Sequence, residues 1–381
     1  MLVYIILIIA ILAGQFLVDA GKLRRAYYCK IIGAMFVLLC GLRSKDLGMW
    51  DTVTVYLPSF EVITSHSILE LLELADTQYK FIGFDLYSKA IGLVCKNSNF
   101  YIFMMGVPFY VAVTYVISKY TYKPVHSFLA LLAMGYFTYS FSMIRGMLAL
   151  AALCMALDAA MQDKWRHMVA WTVLATSFHV TSLLFLSVYF IKKIRWTLEK
   201  IVMVMGVLLA LNGMLPVIWS FFVTKFIKNI LPTYNYYSYK GGEMANGMMI
   251  IYLLILLVAL AKLIVSRKLS FKLKKLNIKI RRQNKEKLRL PIDESVNLLI
   301  GMSVSAVALI SCTSFLSEMI RVAMIMGLGT VLLAGTRVDI SKKNMRVFAG
   351  VEILQGCLLL YYFVTAALPN MNSIPYVFFW Q

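Results

Sequence analysis

Residues 168–191 read MVAWTVLATSFHVTSLLFLSVYFI, with no Asp, Glu, Lys or Arg among them. A helix needs about 20 apolar residues to cross about 30 Å of hydrocarbon, so a run of this kind belongs in a membrane. Its flanks create a conflict. Lys164 and Arg166 precede it, and Lys192, Lys193, Arg195 and Lys200 follow it. Cytoplasmic flanks carry the excess of Lys and Arg. A single crossing would place the second cluster outside, and parity would then carry the most basic segment of the chain outside too. The conflict disappears if residues 168–178 and 180–191 are two arms of a helical hairpin that turns near residues 177–179. Each arm is too short to cross comfortably. Broken backbone at such depth is tolerated only where protein or a water-filled cavity satisfies it, and broken helices build binding sites in membrane proteins.

Outward from this stretch the chain repeats apolar runs of spanning length. Before it they fall at 2–18, 31–42 (beginning near Tyr27), 100–118, 125–141 and 145–160. After it they fall at 199–222, 247–265, 296–315, 319–334 and 347–368. The runs are continuously apolar, not alternating, which indicates helices rather than a barrel. The expected fold is therefore all-α: a polytopic helical integral membrane protein of about ten spans plus a broken-helix hairpin, forming a single membrane domain over 1–381. Residues 1–18 lack a basic leader and read as a first span, not a cleavable signal.

Composition agrees. Of 381 residues 61% are apolar and 15% charged, too few charges to cover a soluble protein of this length. The net charge of +20 is concentrated. Residues 267–291, RKLSFKLKKLNIKIRRQNKEKLRLP, hold eleven Lys or Arg and one acid, Glu286. A basic block beside a span is a topology signal and a partner for anionic lipid headgroups, so 267–292 reads as a cytoplasmic loop and nucleic acid is not expected. Basic residues at 22–30, 119–123 and 164–166 are also assigned to the cytoplasm. Both termini are then extracytoplasmic. So is the long region 43–99, whose five basic and seven acidic residues make it slightly acidic. Within it, 68–74 and 84–95 are short amphipathic stretches. The six cysteines have no CxxC spacing, so neither a zinc site nor a disulfide framework is expected.

An ionisable residue at membrane depth costs roughly 2.5–3.5 kcal/mol on insertion scales and marks function by default. Several gather toward the outer side of this topology: Arg43, Asp51, Arg145, His179, Glu318 and Arg321. Arg145 heads the run 145–160, on the same helix face as Ala149, Ala152, Ala156 and Ala159, a small-residue face open to close packing. The alternative for Arg145 is an anchor in outer headgroups. His179 sits at the turn of the hairpin, as a site residue or as a helix-capping histidine. Glu318 and Arg321 share a helix face, as an ion pair or with Glu318 orienting Arg321 toward an anion. Arg43 and Asp51 flank the start of the external region, where ordinary interfacial charge is the alternative. Asp158 and Glu352 read as interfacial acids near the cytoplasmic side. No P-loop, dinucleotide fingerprint, HExxH or GxSxG is present. Two or three arginines around an outer cavity suit a diphosphate, which guanidinium grips with a bidentate fork.

Three stretches carry a resemblance: RSKDLGMWDTVTVYLPSF at 43–60, MIRGMLALAALCMAL at 143–157 and ATSFHVTSLLFL at 175–186. Their order and spacing resemble the EpsG family, Wzy-like polymerases of bacterial exopolysaccharide and capsule; SEMIR at 317–321 is similar to a Glu/Arg element of that family. The resemblance implies an enzyme of the bacterial cytoplasmic membrane. It would transfer a growing glycan from undecaprenyl diphosphate to a hydroxyl of the next lipid-linked oligosaccharide repeat unit, at the outer face. Arg145 and Arg321 would stabilise the diphosphate leaving group. His179, Asp51 or Glu318 would serve as base, and Arg43 and Tyr56 would bind substrate. No metal or other cofactor is expected, and a chain-length regulator is an expected partner. The rival readings are a lipid-linked oligosaccharide flippase, a membrane O-acyltransferase and a structural subunit.

Overall fold

The computed structural model describes residues 1–48, 50–71, 81–212, 246–277, 294–314, 319–336, 345–369 and 372–381. Those residues are helical, with no strand among them. They divide into two compact units, Met1–Tyr189 with Leu359–Gln381, and Phe190–Leu358.

The first unit opens with α1 (Leu2–Asp19) and α2 (Arg25–Gly41). A π-helical turn, Thr52–Tyr56, runs directly into α3 (Leu57–Ser65), which has a proline in its first turn where no amide partner is needed. The amphipathic α4 (Ile82–Val94) follows. Asn97 then caps α5 (Ser98–Tyr120) by accepting the amides of Asn99 and Phe100 at 2.8 and 3.2 Å. The expected span 125–141 is not continuous. α6 (Pro124–Ala133) stops after ten residues, Gly135 turns the chain at a φ of +79° that favours glycine, and only the short α7 (Tyr136–Tyr139) follows. α8 (Ile144–Met161) carries the four expected alanines, all buried.

Contacts in the first unit sort its elements to two ends. Arg25 donates to the Thr121 carbonyl at 2.9 Å, and Lys119 pairs with Asp158 at 2.6 Å. Tyr120 and Gln162 add hydrogen bonds of 2.7 Å to the same carboxylate. The start of α2 and the ends of α5 and α8 therefore share one end, rich in basic residues. Asp158 is held in a network there and is not a bare interfacial charge. At the other end the Tyr4 hydroxyl donates to the Ser373 carbonyl, and Tyr376 to the Leu39 carbonyl at 2.7 Å.

The 168–191 stretch breaks where its charge pattern requires. α9 (Trp165–Phe178) ends, His179 is extended at φ −154° and ψ 119°, and a 3-10 helix, Val180–Ser187, leads into α10 (Val188–Lys193). The Tyr189 ring lies 4.7 Å from that of Trp165. A helix of α9's length rises about 21 Å, so a chain that is back at Trp165 by Tyr189 has reversed.

The second unit holds α11 (Leu198–Asn212), α12 (Asn246–Asn277), α13 (Glu294–Ser311), α14 (Met319–Ala334) and most of α15 (Met345–Tyr362). α13 and α14 are packed along their length, with Thr330 donating to Ser303 at 3.0 Å between them. Lys262 lies inside an apolar span, 4% exposed, and pairs with Glu352 at 3.0 Å. Glu352, itself half-buried, is thus paired with a buried ammonium, where sequence suggested an interfacial acid.

Among the described residues six helices are long and apolar enough to cross a membrane: Leu2–Asp19, Ser98–Tyr120, Ile144–Met161, Gly247–Ile264, Glu294–Ser311 and Val347–Ala367. Pro124–Ala133 and Met319–Ala334 are apolar but shorter. The structure does not establish the expected ten. The end of the expected span 199–222, from residue 213 onward, lies outside the described residues. So do the basic block beyond residue 277, the end of the 68–74 stretch and Glu318.

Candidate functional site

Arg145 occupies the first turn of α8, at the end of the first unit away from the Lys119–Asp158 network. Its guanidinium carbon lies 4.6 Å from the ring centroid of Phe81, 5.5 Å from Tyr56 and 5.8 Å from Phe84. Three rings drawn from the π-turn and the start of α4 therefore box a half-buried cation by cation–π attraction. Cation–π contact does not use up the five N–H donors of guanidinium. Among the described residues those donors make no hydrogen bond or ion pair.

Asp85 stands in the first turn of α4 and is buried, 6% exposed. Burial pushes its carboxyl pKa up, and the nearby Arg145 pulls it partly back. No hydrogen bond reaches its carboxylate among the described residues. Behind it, Tyr101 stacks on Phe60 at 4.0 Å and its hydroxyl lies 3.4 Å from Ser88, giving the site an aromatic floor.

His179 reaches the same cluster from the tip of the hairpin. Its ring lies 5.9 Å from that of Phe81 at 28°, and Nδ1 is 2.7 Å from the Thr181 hydroxyl. Gly83 permits this approach: a Cβ there would lie 2.1 Å from the Ser177 hydroxyl. α4 therefore lies directly against the hairpin tip, and any side chain at position 83 would push the two apart.

The other expected site residues fall elsewhere. Arg43 is buried, 1% exposed, and donates to the Phe141 carbonyl at 2.8 Å, with longer bonds of 3.3 and 3.4 Å to the carbonyls of Ser44 and Leu47. Thr52 donates to the same Phe141 carbonyl at 2.6 Å. Asp51, half-buried beside it, makes no side-chain hydrogen bond among the described residues. Arg321 belongs to the second unit, half-buried in the first turn of α14. Asp85 and Phe81 did not figure among the expected site residues. Their signal was present: Phe84, Asp85, Ser88, Ile91 and Gly92 are the buried face of α4, so an acid stands on the apolar stripe of an amphipathic helix.

The sequence profile described as the EpsG family matches residues 26–378. The chain belongs to the EpsG family. No curated protein and no solved structure matches it. Membership joined to the apolar helices makes this a multi-pass membrane protein of polysaccharide biosynthesis, with a polymerase-like role. In this EpsG family protein the stretches 43–60, 143–157 and 175–186 meet in one place. Tyr56 comes from the first, Arg145 from the second and His179 from the third, and α4 joins them through Phe81 and Asp85.

Proposed function

We propose that this EpsG family protein is a glycosyltransferase. It moves a growing glycan from undecaprenyl diphosphate to a hydroxyl of the next lipid-linked repeat unit, at the outer face of the bacterial cytoplasmic membrane. The observation that supports this reading is the couple of Arg145 and Asp85, a cation beside a buried carboxylate, neither of which makes a side-chain hydrogen bond or ion pair among the described residues. In transfer, the anomeric C–O bond to the diphosphate breaks and the electron pair leaves with the phosphate oxygen. The acceptor hydroxyl oxygen forms the new bond and its proton passes to a base.

Arg145 is suited to the leaving group. A guanidinium boxed by three rings is already in place when its partner arrives, and preorganised donors are worth most where charge develops. Asp85 is suited to the base, because a carboxyl raised by burial holds a proton more strongly than an exposed one. His179 is the second candidate for that proton. Arg43 and Asp51, assigned to substrate binding and catalysis from sequence, have weaker support, since Arg43 is enclosed by backbone carbonyls.

The test is the glycan profile of cells whose only copy carries Arg145→Ala or Asp85→Asn at normal abundance. Single repeat units in place of long chains are the expected result. Long but undecorated chains would mean acyl transfer, and repeat units trapped on the inner face would mean a flippase; either would overturn the reading.

A further inference from the structure

We infer that Arg43, locked by the 372–381 segment, and Thr52 are positioning residues that set Arg145 through the Phe141 carbonyl. This rests on the reading of Arg145 given above.

One carbonyl receives two side-chain donors from distant sequence, Arg43 Nη2 at 2.8 Å and Thr52 Oγ1 at 2.6 Å. The Arg43 guanidinium also lies 5.1 Å from the centre of the Phe141 ring. Phe141 stands four residues before Arg145, on the connection that follows the Gly135 turn, where no regular helix holds the chain. Fixing its carbonyl fixes where α8 begins and so where its first-turn cation points.

The 372–381 segment locks the backbone around Arg43. Arg43 and Phe378 form an isolated antiparallel bridge. The Ser44 amide donates to the Val377 carbonyl at 2.8 Å, and the Phe379 amide to the Leu42 carbonyl at 3.0 Å. Gly48 completes the contact. Its φ of +105° suits glycine, and a Cβ there would lie 2.8 Å from that of Phe141. A fully buried arginine spent on backbone carbonyls is costly unless its geometry matters. Here it ties residues 43, 141 and 378 into one frame.

The experiment uses the full chain in lipid nanodiscs. Its substrate is the lipid-linked repeat unit extracted from a strain lacking this protein. Thr52→Val removes the donor and keeps the shape; Thr52→Ser restores it. The expected result is a kcat lowered about ten- to a hundredfold in Thr52→Val with KM within twofold, and recovery in Thr52→Ser. Amide exchange over residues 142–148 is measured in parallel and should be faster in Thr52→Val and after removal of residues 373–381. Unchanged exchange in both, or a raised KM at wild-type kcat, would overturn the frame. If Arg145→Ala polymerises normally, the reading of Arg145 fails, while the exchange measurement still decides whether the frame exists.

Discussion

Arg145 draws on the charge of Asp85 without closing into an ion pair with it. Opposite charges in a partly buried site close into a pair unless something holds them apart. Here the holder is aromatic: Phe81, Tyr56 and Phe84 carry the guanidinium on their faces. Among the described residues both groups keep unused hydrogen-bonding capacity, which a diphosphate and a sugar hydroxyl can take up.

Replacing Arg145 with Lys should therefore be nearly as harmful as replacing it with Ala. An ammonium keeps the charge but loses the planar fork and the ring stacking. Loss of a transition-state contact of roughly 3 kcal/mol slows transfer on the order of a hundredfold. Polymer made by normally expressed Arg145→Lys protein is the measure, and wild-type chain synthesis would sink the assignment.

Asp85 makes a prediction with two signs. Its folded pKa is raised, so folding favours the protonated carboxyl, and stability falls as pH rises from the ordinary carboxylate range through the raised value. Asp85→Asn should then melt higher than wild type at pH 7 while losing about 10²–10⁴-fold in transfer. A base must be ionised to act. The acid limb of the wild-type rate profile should lie above the exposed-carboxylate value of about 4, and the residual activity of Asp85→Asn should lack that limb. A variant that is both less stable and fully active would contradict both parts.

The hairpin can be tested without substrate. Trp165→Cys and Tyr189→Cys, whose rings now touch, should join through a short bis-maleimide in a background without the native cysteines. In cells stripped of outer barriers, cysteines placed at Lys193 and Lys200 should be shielded from impermeant thiol reagents, as the positive-inside rule requires. Ready labelling there would mean that the stretch crosses once.

The break at His179 was legible because charge parity is a global constraint that one local helix cannot satisfy. Arg145 and its alanine face were legible because helical spacing puts residues three and four apart on one side. The destination of Arg43 was not. Nothing in 43–60 states that its arginine turns inward onto a carbonyl nearly a hundred residues away, since that contact is set by tertiary packing. The gap at Gly135 was hidden because residues 125–141 carry no charged side chain and are mostly apolar, and hydropathy does not see a turn. Asp85 was hidden by its neighbours: an acid in a short amphipathic segment reads as solvated until the face it occupies is known to be buried.

Lys262 and Glu352 give the last prediction, in the second unit and apart from the chemistry proposed for Arg145. Lys262 is 4% exposed inside an apolar span, and its ammonium lies 3.0 Å from the Glu352 carboxylate on α15. Transferring either charge alone into an apolar interior is costly, and mutual attraction offsets that cost only while both partners remain. Lys262→Leu leaves the half-buried Glu352 carboxylate without its ammonium partner, and Glu352→Leu leaves a buried ammonium without its carboxylate. Each single change should cost about 3 kcal/mol or more. The double change removes both desolvation costs and supplies apolar surface suited to the span, so it should recover most of that loss. Thermal unfolding of the four proteins in nanodiscs measures the cycle. Strong coupling with the double variant near wild type is the expected result. Single variants as stable as wild type would mean that water or lipid headgroups already reach the pair and that it does not hold α12 to α15.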